Sequence, residues 1–125
     1  MLVCVIDDEA EIVGPLVKIL EAKGHEALSY RNGAEAIAGL KIAKKVPDII
    51  ITDLMMPVMD GLEFRKKQIE TPRIKNIPTY LFTASARLKN ISDSSFSGKL
   101  MKPVSISKIL ELVEHHSQQS KQKYN

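Results

Sequence analysis

The segment of the sequence that is most typical of a β-strand reads DIIITD and occupies residues 48–53. Its three isoleucines and its threonine are β-branched, and such side chains pack well on the pleated surface of a sheet. An apolar run without alternation is typical of a strand that is covered on both faces, as the strands of a parallel sheet are. The segment ends in Asp53, so the pattern also places a carboxylate at the carboxyl end of a buried strand.

Short apolar runs alternate with longer helical patterns along the rest of the chain. We predict five strands from these runs, at residues 2–6, 25–30, 48–53, 78–82 and 98–101. A helical pattern follows each of them, and between residues 86 and 95 it is so sparse that we expect a short or frayed helix. Strand–helix units in this order predict an α/β fold, with a doubly wound five-stranded parallel sheet and helices on both faces.

Local signals mark the ends of several helices. We expect Gly24 to end the first helix, Asn32 to cap the second and the Asp60-Gly61 pair to open the third. Pro15 lies within the first helical pattern and has no amide hydrogen to donate. The helix is therefore expected either to bend there or to have Pro15 in its first turns.

Some side chains outside the strands can also be placed from the sequence. In the third helix only Leu62, Phe64 and Ile69 remain to face a core. His115 and His116 are expected to be exposed to solvent rather than to form a metal site, because adjacent helical residues do not converge. The neighbouring methionines are expected to serve loop packing; they are Met55, Met56 and Met59.

Length and composition limit the classes of protein to consider. The 125 residues fit one domain, which we place at residues 1–116, followed by a polar and disordered tail at residues 117–125. The single cysteine, Cys4, lies in the first apolar run, so we expect a core thiol in a reducing compartment. No apolar run is long enough to span a membrane and no secretory signal pattern is present, so we expect a cytoplasmic protein. The net charge of +3 comes from scattered basic residues, and we expect no direct nucleic-acid binding.

Polar residues follow four of the predicted strands. Asp7 and Asp8 follow the first strand and Asp53 ends the third, while Thr83 ends the fourth and Lys102 follows the fifth. Each has an ordinary explanation when it is taken singly, such as a solvated loop or a helix cap. The carboxyl ends of parallel strands meet at one edge of the sheet, where ligands bind in open α/β folds. The joint pattern therefore predicts one site at this edge.

The residue types at this edge indicate phosphoryl chemistry. Three carboxylates that lie close together repel one another unless a cation is bound, and an all-oxygen site with few protein ligands suits Mg²⁺. A carboxylate such as Asp53 beside Mg²⁺ can accept a phosphoryl group as an acyl phosphate. Lys102 and the hydroxyl of Thr83 are suited to stabilise the charge of the phosphoryl oxygens.

Four motifs together resemble one known family. They are VIDDE at residues 5–9, DLMMPVMDG at 53–61, TA at 83–84 and KP at 102–103. In this order and spacing they resemble the response regulator receiver domains of two-component signalling, and the resemblance covers residues 1–116. It implies a flavodoxin-like fold with strand order 2-1-3-4-5.

The resemblance also implies roles for single residues. Asp53 is the implied phosphoacceptor, and Asp8, Asp53 and the backbone carbonyl of Met55 are the implied direct ligands of Mg²⁺. Asp7 is implied to act on the ion through water. The implied phosphoryl-binding residues beside Asp53 are Thr83, Ala84 and Lys102, and Pro103 is implied to follow a cis peptide bond.

Implied partners and activity follow from the same resemblance. The phosphodonor is implied to be a histidine kinase or a histidine phosphotransfer protein, and the output is implied to be a switched protein–protein interaction. Such a domain phosphorylates itself from the donor and is not a turnover enzyme. Whether the chain acts alone or as part of a larger regulator or hybrid kinase stays open.

The sequence departs from the family pattern at several positions. Lys99 stands three residues before Lys102, where the family has an aromatic residue that reports phosphorylation. The stretch between Thr83 and Lys102 is about three residues shorter than is common in the family. We therefore expect the fourth helix and the usual output face to differ from the family pattern. Met55 cannot orient a water by hydrogen bonding, so we expect slow self-dephosphorylation, with Ser85 as another position able to modulate it.

Other functions fit the sequence less well. A degenerate receiver that binds partners without being phosphorylated stays open as the alternative, because the reporting aromatic is missing. A phosphohydrolase with an aspartyl intermediate would need an acid two residues after its nucleophile, where this chain has Met55. A dinucleotide-binding domain would need a glycine-rich loop after the first strand, where this chain has acidic residues.

Overall fold

The computed structural model describes residues 1–84, 96–102 and 106–123, without the side chains of Thr83, Ile106 and 119–123. The described residues form five strands and four helices, which alternate along the chain except that β5 is the next described element after β4. Their bounds are β1 Leu2–Ile6, α1 Ala10–Ala22, β2 Glu26–Tyr30, α2 Gly33–Ile42, β3 Ile49–Thr52, α3 Gly61–Ile69, β4 Thr79–Thr83, β5 Gly98–Met101 and α4 Ile106–Lys123. The short helix expected at 86–95 lies outside the described residues.

All five strands form one parallel sheet in the order β2-β1-β3-β4-β5. This order confirms the predicted doubly wound arrangement, because β1 lies next to β3 and the connections cross over. Strand β3 is buried at every residue, as its β-branched run predicts. Strand β2 lies at one edge of the sheet and has both exposed and half-buried residues.

The two faces of the sheet are covered by different helices. On one face, Val5 and Ile51 pack with Leu20 of α1 and Val113 of α4. On the other face a second cluster joins the sheet to α2 and α3; its buried residues are Cys4, Ile6, Ala36, Leu40, Ile50, Phe64, Ile74 and Ile77. Neighbouring strand residues point to opposite faces, so each strand contributes to both cores. Cys4 is confirmed as a buried core thiol, and its burial raises the pKa of the thiol.

The predicted helix signals are confirmed by the backbone. Gly24 adopts a left-handed conformation with φ of 89°, and the amides of Gly24 and His25 donate to the carbonyls of Glu21 and Leu20. This pair of bonds satisfies carbonyls at the end of α1. The Asn32 side chain accepts a hydrogen bond from the Glu35 amide at 2.9 Å and caps α2.

Pro15 lies inside α1 rather than at its start, because the helix begins at Ala10. The side chain of Pro15 is exposed, as is that of Glu11. The amide that a residue at position 15 would donate to the carbonyl of Glu11 is absent. The rest of α1 continues to Ala22 past this missing bond.

Helix α3 differs from the prediction in which residues it buries. Ile69 is 49% exposed, whereas Gln68 is fully buried. The reason is helical periodicity, because Gln68 follows the buried Phe64 by one turn and Ile69 is rotated away from that face. The prediction for Phe64 is correct, and the prediction for Ile69 is wrong.

The C-terminal helix is longer than predicted. Helix α4 continues to Lys123, so residues 117–123 are helical where we predicted a disordered tail. Glutamine and lysine are good helix formers, which allows the helix to continue past its apolar stripe. His116 is half-buried and its Nε2 lies 2.7 Å from the Tyr80 hydroxyl, so the predicted exposure of this histidine is also wrong. In the part of the chain that the structure describes, none of the helices combines the length and apolar character that a membrane span requires.

Candidate functional site

Three aspartates meet at the carboxyl ends of β1 and β3. Residues Ile6 and Thr52 are partners in the parallel pairing of these strands, and the Asp53 amide donates to the Ile6 carbonyl at 2.8 Å. The residues that follow the two strands are therefore neighbours. One carboxylate oxygen from each of Asp7, Asp8 and Asp53 lies within 4.8 Å of the other two. The structure thus brings together the carboxylates that the sequence pattern predicted.

Asp53 is held on both of its carboxylate oxygens. The Leu54 amide donates to Oδ1 at 2.8 Å, and the Lys102 ammonium donates to Oδ2 at 3.4 Å. The residue is only 4% exposed. Burial raises the pKa of Asp53 above its ordinary value, the charge of Lys102 opposes that shift, and the charge of Asp7 adds to it. Hydrogen bonds thus fix the carboxylate in place, but its negative charge is only partly compensated by Lys102.

Lys102 reaches across the ends of the strands to several acidic groups. Its Nζ lies 2.8 Å from Asp7 Oδ2 and 3.3 Å from Glu9 Oε1, in addition to its contact with Asp53. It also lies 5.0 Å from the centroid of the Phe82 ring. Burial acts to lower the pKa of Lys102, but the hydrogen bond to Asp7 and the charges of Asp53 and Asp7 outweigh it, so the pKa lies above its ordinary value. Lys102 is therefore a cation that Asp7, Glu9 and Asp53 share.

Sequence reasoning missed Glu9 and Phe82 as neighbours of Lys102. Glu9 continues the acidic run that includes Asp7, and the Asp7 side chain accepts a hydrogen bond from the Glu9 amide at 2.9 Å. The acidic run was therefore a usable signal for Glu9. Phe82 gave no such signal, because an aromatic residue in an apolar strand is usually a core residue.

The loop between β3 and α3 requires a glycine near the acceptor. A Cβ at Gly61 would overlap the backbone carbonyl of Asp53 and lie 3.1 Å from Leu54 Cα. The Gly61 amide donates to the Leu54 carbonyl at 2.8 Å, and the Asp60 side chain caps α3 through the Glu63 amide. The loop therefore folds back onto the segment that carries the acceptor.

The same loop contains a tight turn and three methionines that differ in exposure. Val58 has a φ of 70°, and the Met59 amide donates to the Pro57 carbonyl at 2.7 Å across it. Met56 and Met59 pack against the core beside α2, which confirms the expected loop packing. Met55, two residues after Asp53, is 55% exposed, so the expected packing is wrong for this residue.

The other predicted site residues are placed only by their backbone or lie outside the described residues. Thr83 ends β4 and pairs with Met101 in β5, one residue before Lys102. Ala84 is exposed. The side chain of Thr83 and all of Ser85 and Pro103 lie outside the described residues, so their predicted roles stay predictions. Lys99 lies in β5 opposite Leu81 and is half-buried.

The donor set fits a hard divalent cation. The ligand atoms of the cluster are carboxylate oxygens, which Mg²⁺ prefers, and two of the three aspartates are buried while Asp8 is exposed. Lys102 offsets only part of the negative charge of Asp7, Asp8, Glu9 and Asp53. A cation would relieve the remaining repulsion.

Sequence comparisons identify relatives over nearly the whole chain. The family model of the response regulator receiver domain matches residues 3–114. The DNA-binding transcriptional regulator NtrC of Escherichia coli is 34% identical over 130 residues, which cover 99% of this chain and only 27% of NtrC. The polar-differentiation response regulator DivK of Brucella anthropi is 29% identical over 102 residues, which cover 78% of this chain and 80% of DivK.

Solved structures show the same fold. The chemotaxis response regulator CheY4 of Vibrio cholerae superposes with a TM-score of 0.81 at 27% identity, covering 92% of this chain and 97% of CheY4. The response regulator TrrA of Thermotoga maritima, solved in complex with Mg²⁺ and BeF, has a TM-score of 0.78 at 25% identity, covering 92% of this chain and 97% of TrrA. With its parallel sheet, its acidic cluster and these relatives, the chain belongs to the response regulator receiver domain family.

Proposed function

We propose that this domain accepts a phosphoryl group on Asp53 in the presence of Mg²⁺ and thereby switches a protein–protein interaction. The observation that carries the proposal is the placement of Asp53 itself. Its buried carboxylate lies beside two further aspartates and within hydrogen-bond reach of Lys102. Members of the family are named as regulators, so the proposal assigns this chain the same general role.

The chemistry requires a held carboxylate and positive charge near it. A carboxylate oxygen of Asp53 attacks the phosphorus of the donor, an O–P bond forms, and the bond from phosphorus to the leaving group breaks. The Leu54 amide holds Oδ1, which leaves Oδ2 on the side of Lys102. A bound Mg²⁺, held by Asp8, Asp53 and the Met55 carbonyl with Asp7 acting through water, would supply positive charge to the phosphoryl oxygens.

Lys102 can convert this local change into a structural one. Before phosphorylation its ammonium is shared among Asp7, Glu9 and Asp53. A phosphoryl group on Asp53 would add strong acceptors on the side of Lys102, with Thr83 and Ala84 as the remaining phosphoryl-binding residues. Movement of these residues would change the surface at the ends of β4 and β5, where a partner protein could detect the modification.

The donor and the fate of the phosphoryl group complete the proposal. We assign the donor to a histidine kinase or a histidine phosphotransfer protein, and the output to a partner protein. The domain is a phosphoacceptor and not a turnover enzyme. Met55 carries no hydrogen-bonding group that could orient a water, so self-dephosphorylation is expected to be slow.

Intact mass spectrometry tests the proposal directly. The protein is incubated with Mg²⁺ and acetyl phosphate, beside the variant Asp53→Asn and the matched control Asp48→Asn, which changes an exposed aspartate just before β3. One added phosphoryl group is expected in the wild type and in Asp48→Asn, and none in Asp53→Asn or without Mg²⁺. Absence of the adduct in the wild type, with an active donor and with Mg²⁺ binding shown separately, would instead favour the degenerate receiver.

A further inference from the structure

An open groove lies beside the strand β2, which forms one edge of the sheet. It has a volume of about 490 Å³ and lies between β2 and the C-terminal part of α2. Leu28 and Tyr30 line it from the strand, and Ile42 lines it from the helix. Ile42 is 85% exposed, which is unusual for an isoleucine beside a groove that is partly apolar.

The backbone of β2 is available along this edge. The Glu26 amide donates to Met1, and the Tyr30 carbonyl accepts from Asp7, both at 3.0 Å. In a parallel ladder, alternate residues bond to the same neighbour, so Ala27 and Ser29 direct their amides and carbonyls away from β1. Strand β2 ends the sheet on this side. An open edge of this kind is a template for a further strand.

The floor of the groove is held in place by close packing. Gly39 of α2 lies so near Tyr30 that a Cβ at this position would lie 2.7 Å from the tyrosine hydroxyl and 2.8 Å from Cζ. The Tyr30 ring therefore packs directly on α2, and it lines the groove. Burial raises the pKa of the Tyr30 hydroxyl, which is consistent with this packing.

The rim of the groove is basic. Lys44 and Lys45 line it, and the exposed Lys41 lies one residue before Ile42. Lys45 lies 3.4 Å from Glu26 across the groove. Lys41 and Lys44 form no ion pair with any residue that the structure describes.

We propose that the β2 edge and this groove bind an extended segment of a partner protein that presents both apolar and acidic side chains on the face directed to α2. The segment would pair with the backbone of Ala27 and Ser29 as an added strand. Its apolar side chains would cover Leu28 and Ile42, and its carboxylates would meet the lysines of the rim.

The proposal goes beyond the proposed function and does not depend on phosphorylation. The groove lies near the residues that lead into β3, such as Lys45, whereas Asp53 follows the other end of that strand. Binding at the groove would therefore bring a partner to the domain in either state of Asp53.

A peptide titration followed by amide NMR tests the proposal. The probe is an acetylated and amidated peptide of two leucine–serine–glutamate–serine repeats, which places leucine and glutamate on the same face of an added strand. We expect saturable shifts at β2 and at the end of α2, with a dissociation constant at or below about 1 mM. Ile42→Ser and Lys44→Glu should each weaken binding by about tenfold. Lys66→Glu, which changes an exposed lysine of α3, is the matched control and should bind as the wild type does.

The other outcomes of this titration overturn the proposal. No saturable shift at about 5 mM peptide, or shifts centred elsewhere, would exclude the groove as a peptide site. Equal binding of the same peptide with lysine in place of glutamate would show that the rim charges do not select the occupant. Equal loss of binding in Lys66→Glu would show that only net charge matters. Self-association through the same residues, or equal binding of an oligonucleotide there, would identify a different occupant. The amide spectrum of each variant shows whether it is folded.

Discussion

Two buried polar centres of this domain differ in how far their polar groups are compensated by partners. Around Gln68, which is fully buried, hydrogen bonds satisfy both ends of a neutral amide. Its Nε2 donates to the carbonyls of Ile74 at 2.9 Å and Ile77 at 3.2 Å, and its Oε1 accepts from the Thr79 hydroxyl at 3.0 Å. Around Asp53, which is nearly as buried, carboxylates meet like charges and share one ammonium.

The difference between the two centres separates stability from function. A neutral and fully bonded centre stabilises the fold, because no buried group lacks a partner. A centre of uncompensated charge destabilises the fold but is prepared for a cation and a phosphoryl group. Substitutions in the two centres are therefore expected to change the free energy of unfolding in opposite directions.

The largest effect on stability is expected at Gln68. Gln68→Met keeps the size of the side chain but leaves two backbone carbonyls and the Thr79 hydroxyl without this partner. We expect a loss of about 2–3 kcal/mol in the free energy of unfolding. Urea unfolding followed by circular dichroism measures it. Gln118→Met is the matched control, because Gln118 is an exposed glutamine of α4.

The result at Gln118 decides how the loss at Gln68 is interpreted. The control should change the free energy of unfolding by less than about 0.5 kcal/mol. A loss at Gln68 that is no larger than in the control would contradict the role of the amide network. A double-mutant cycle that combines Gln68→Met with Thr79→Val isolates the interaction free energy between the two side chains.

An effect of the opposite sign is expected at Asp53. Asp53→Asn removes a buried charge that Asp7 repels, so it should raise the free energy of unfolding by about 1 kcal/mol in buffer without Mg²⁺. Adding Mg²⁺ should stabilise the wild type more than the variant, since a bound ion stabilises the folded state that holds it. Thermal unfolding with and without the ion measures both effects.

Asp48→Asn serves as the control for this comparison. Asp48 accepts a hydrogen bond from the Leu2 amide at 2.7 Å and lies at the other end of β3 from the acidic cluster, so its loss of charge should bring no gain in stability. A wild type that is at least as stable as Asp53→Asn without Mg²⁺ would mean that Lys102 already compensates the acceptor fully.

The smallest effect is expected at a third polar contact, between the helix α4 and the sheet. Burial lowers the pKa of His116, and the charge of the neighbouring His115 lowers it further. The unfolded chain therefore binds a proton more readily than the folded protein does. Stability should be lost as the pH falls from the ordinary value of 6.5 through the lower pKa of the folded state.

A substitution at His116 checks this pH dependence. His116→Gln removes the titrating group and can keep a hydrogen bond to Tyr80. Urea unfolding at about pH 8 and about pH 5 should show a smaller loss of stability in the variant than in the wild type. Equal losses in the two proteins would show that His116 does not contribute to the pH dependence.

Most of the fold could be predicted because its signals are local. The β-branched run of β3, the apolar run of β1 and the helix signals at Gly24 and Asn32 depend on neighbouring residues only. Gln68 and Ile69 show where such reasoning fails. A glutamine in a basic stretch suggests a solvated face, and only its rotation relative to Phe64 brings it into the core.

The candidate site shows the same division. The sequence by itself determined that Asp7, Asp8, Asp53 and Lys102 share one edge, because parallel strands all end there. Only the tertiary structure decided that Lys102 bonds to Asp7 and Glu9 as well as to Asp53, that Gly61 must approach the Asp53 carbonyl, and that His116 reaches Tyr80. These contacts join residues that are far apart in the chain or depend on the exact path of a loop, and no periodicity or composition records such distances. The strand pattern therefore determines which groups meet, and the packing of the loops and helices decides how each is held.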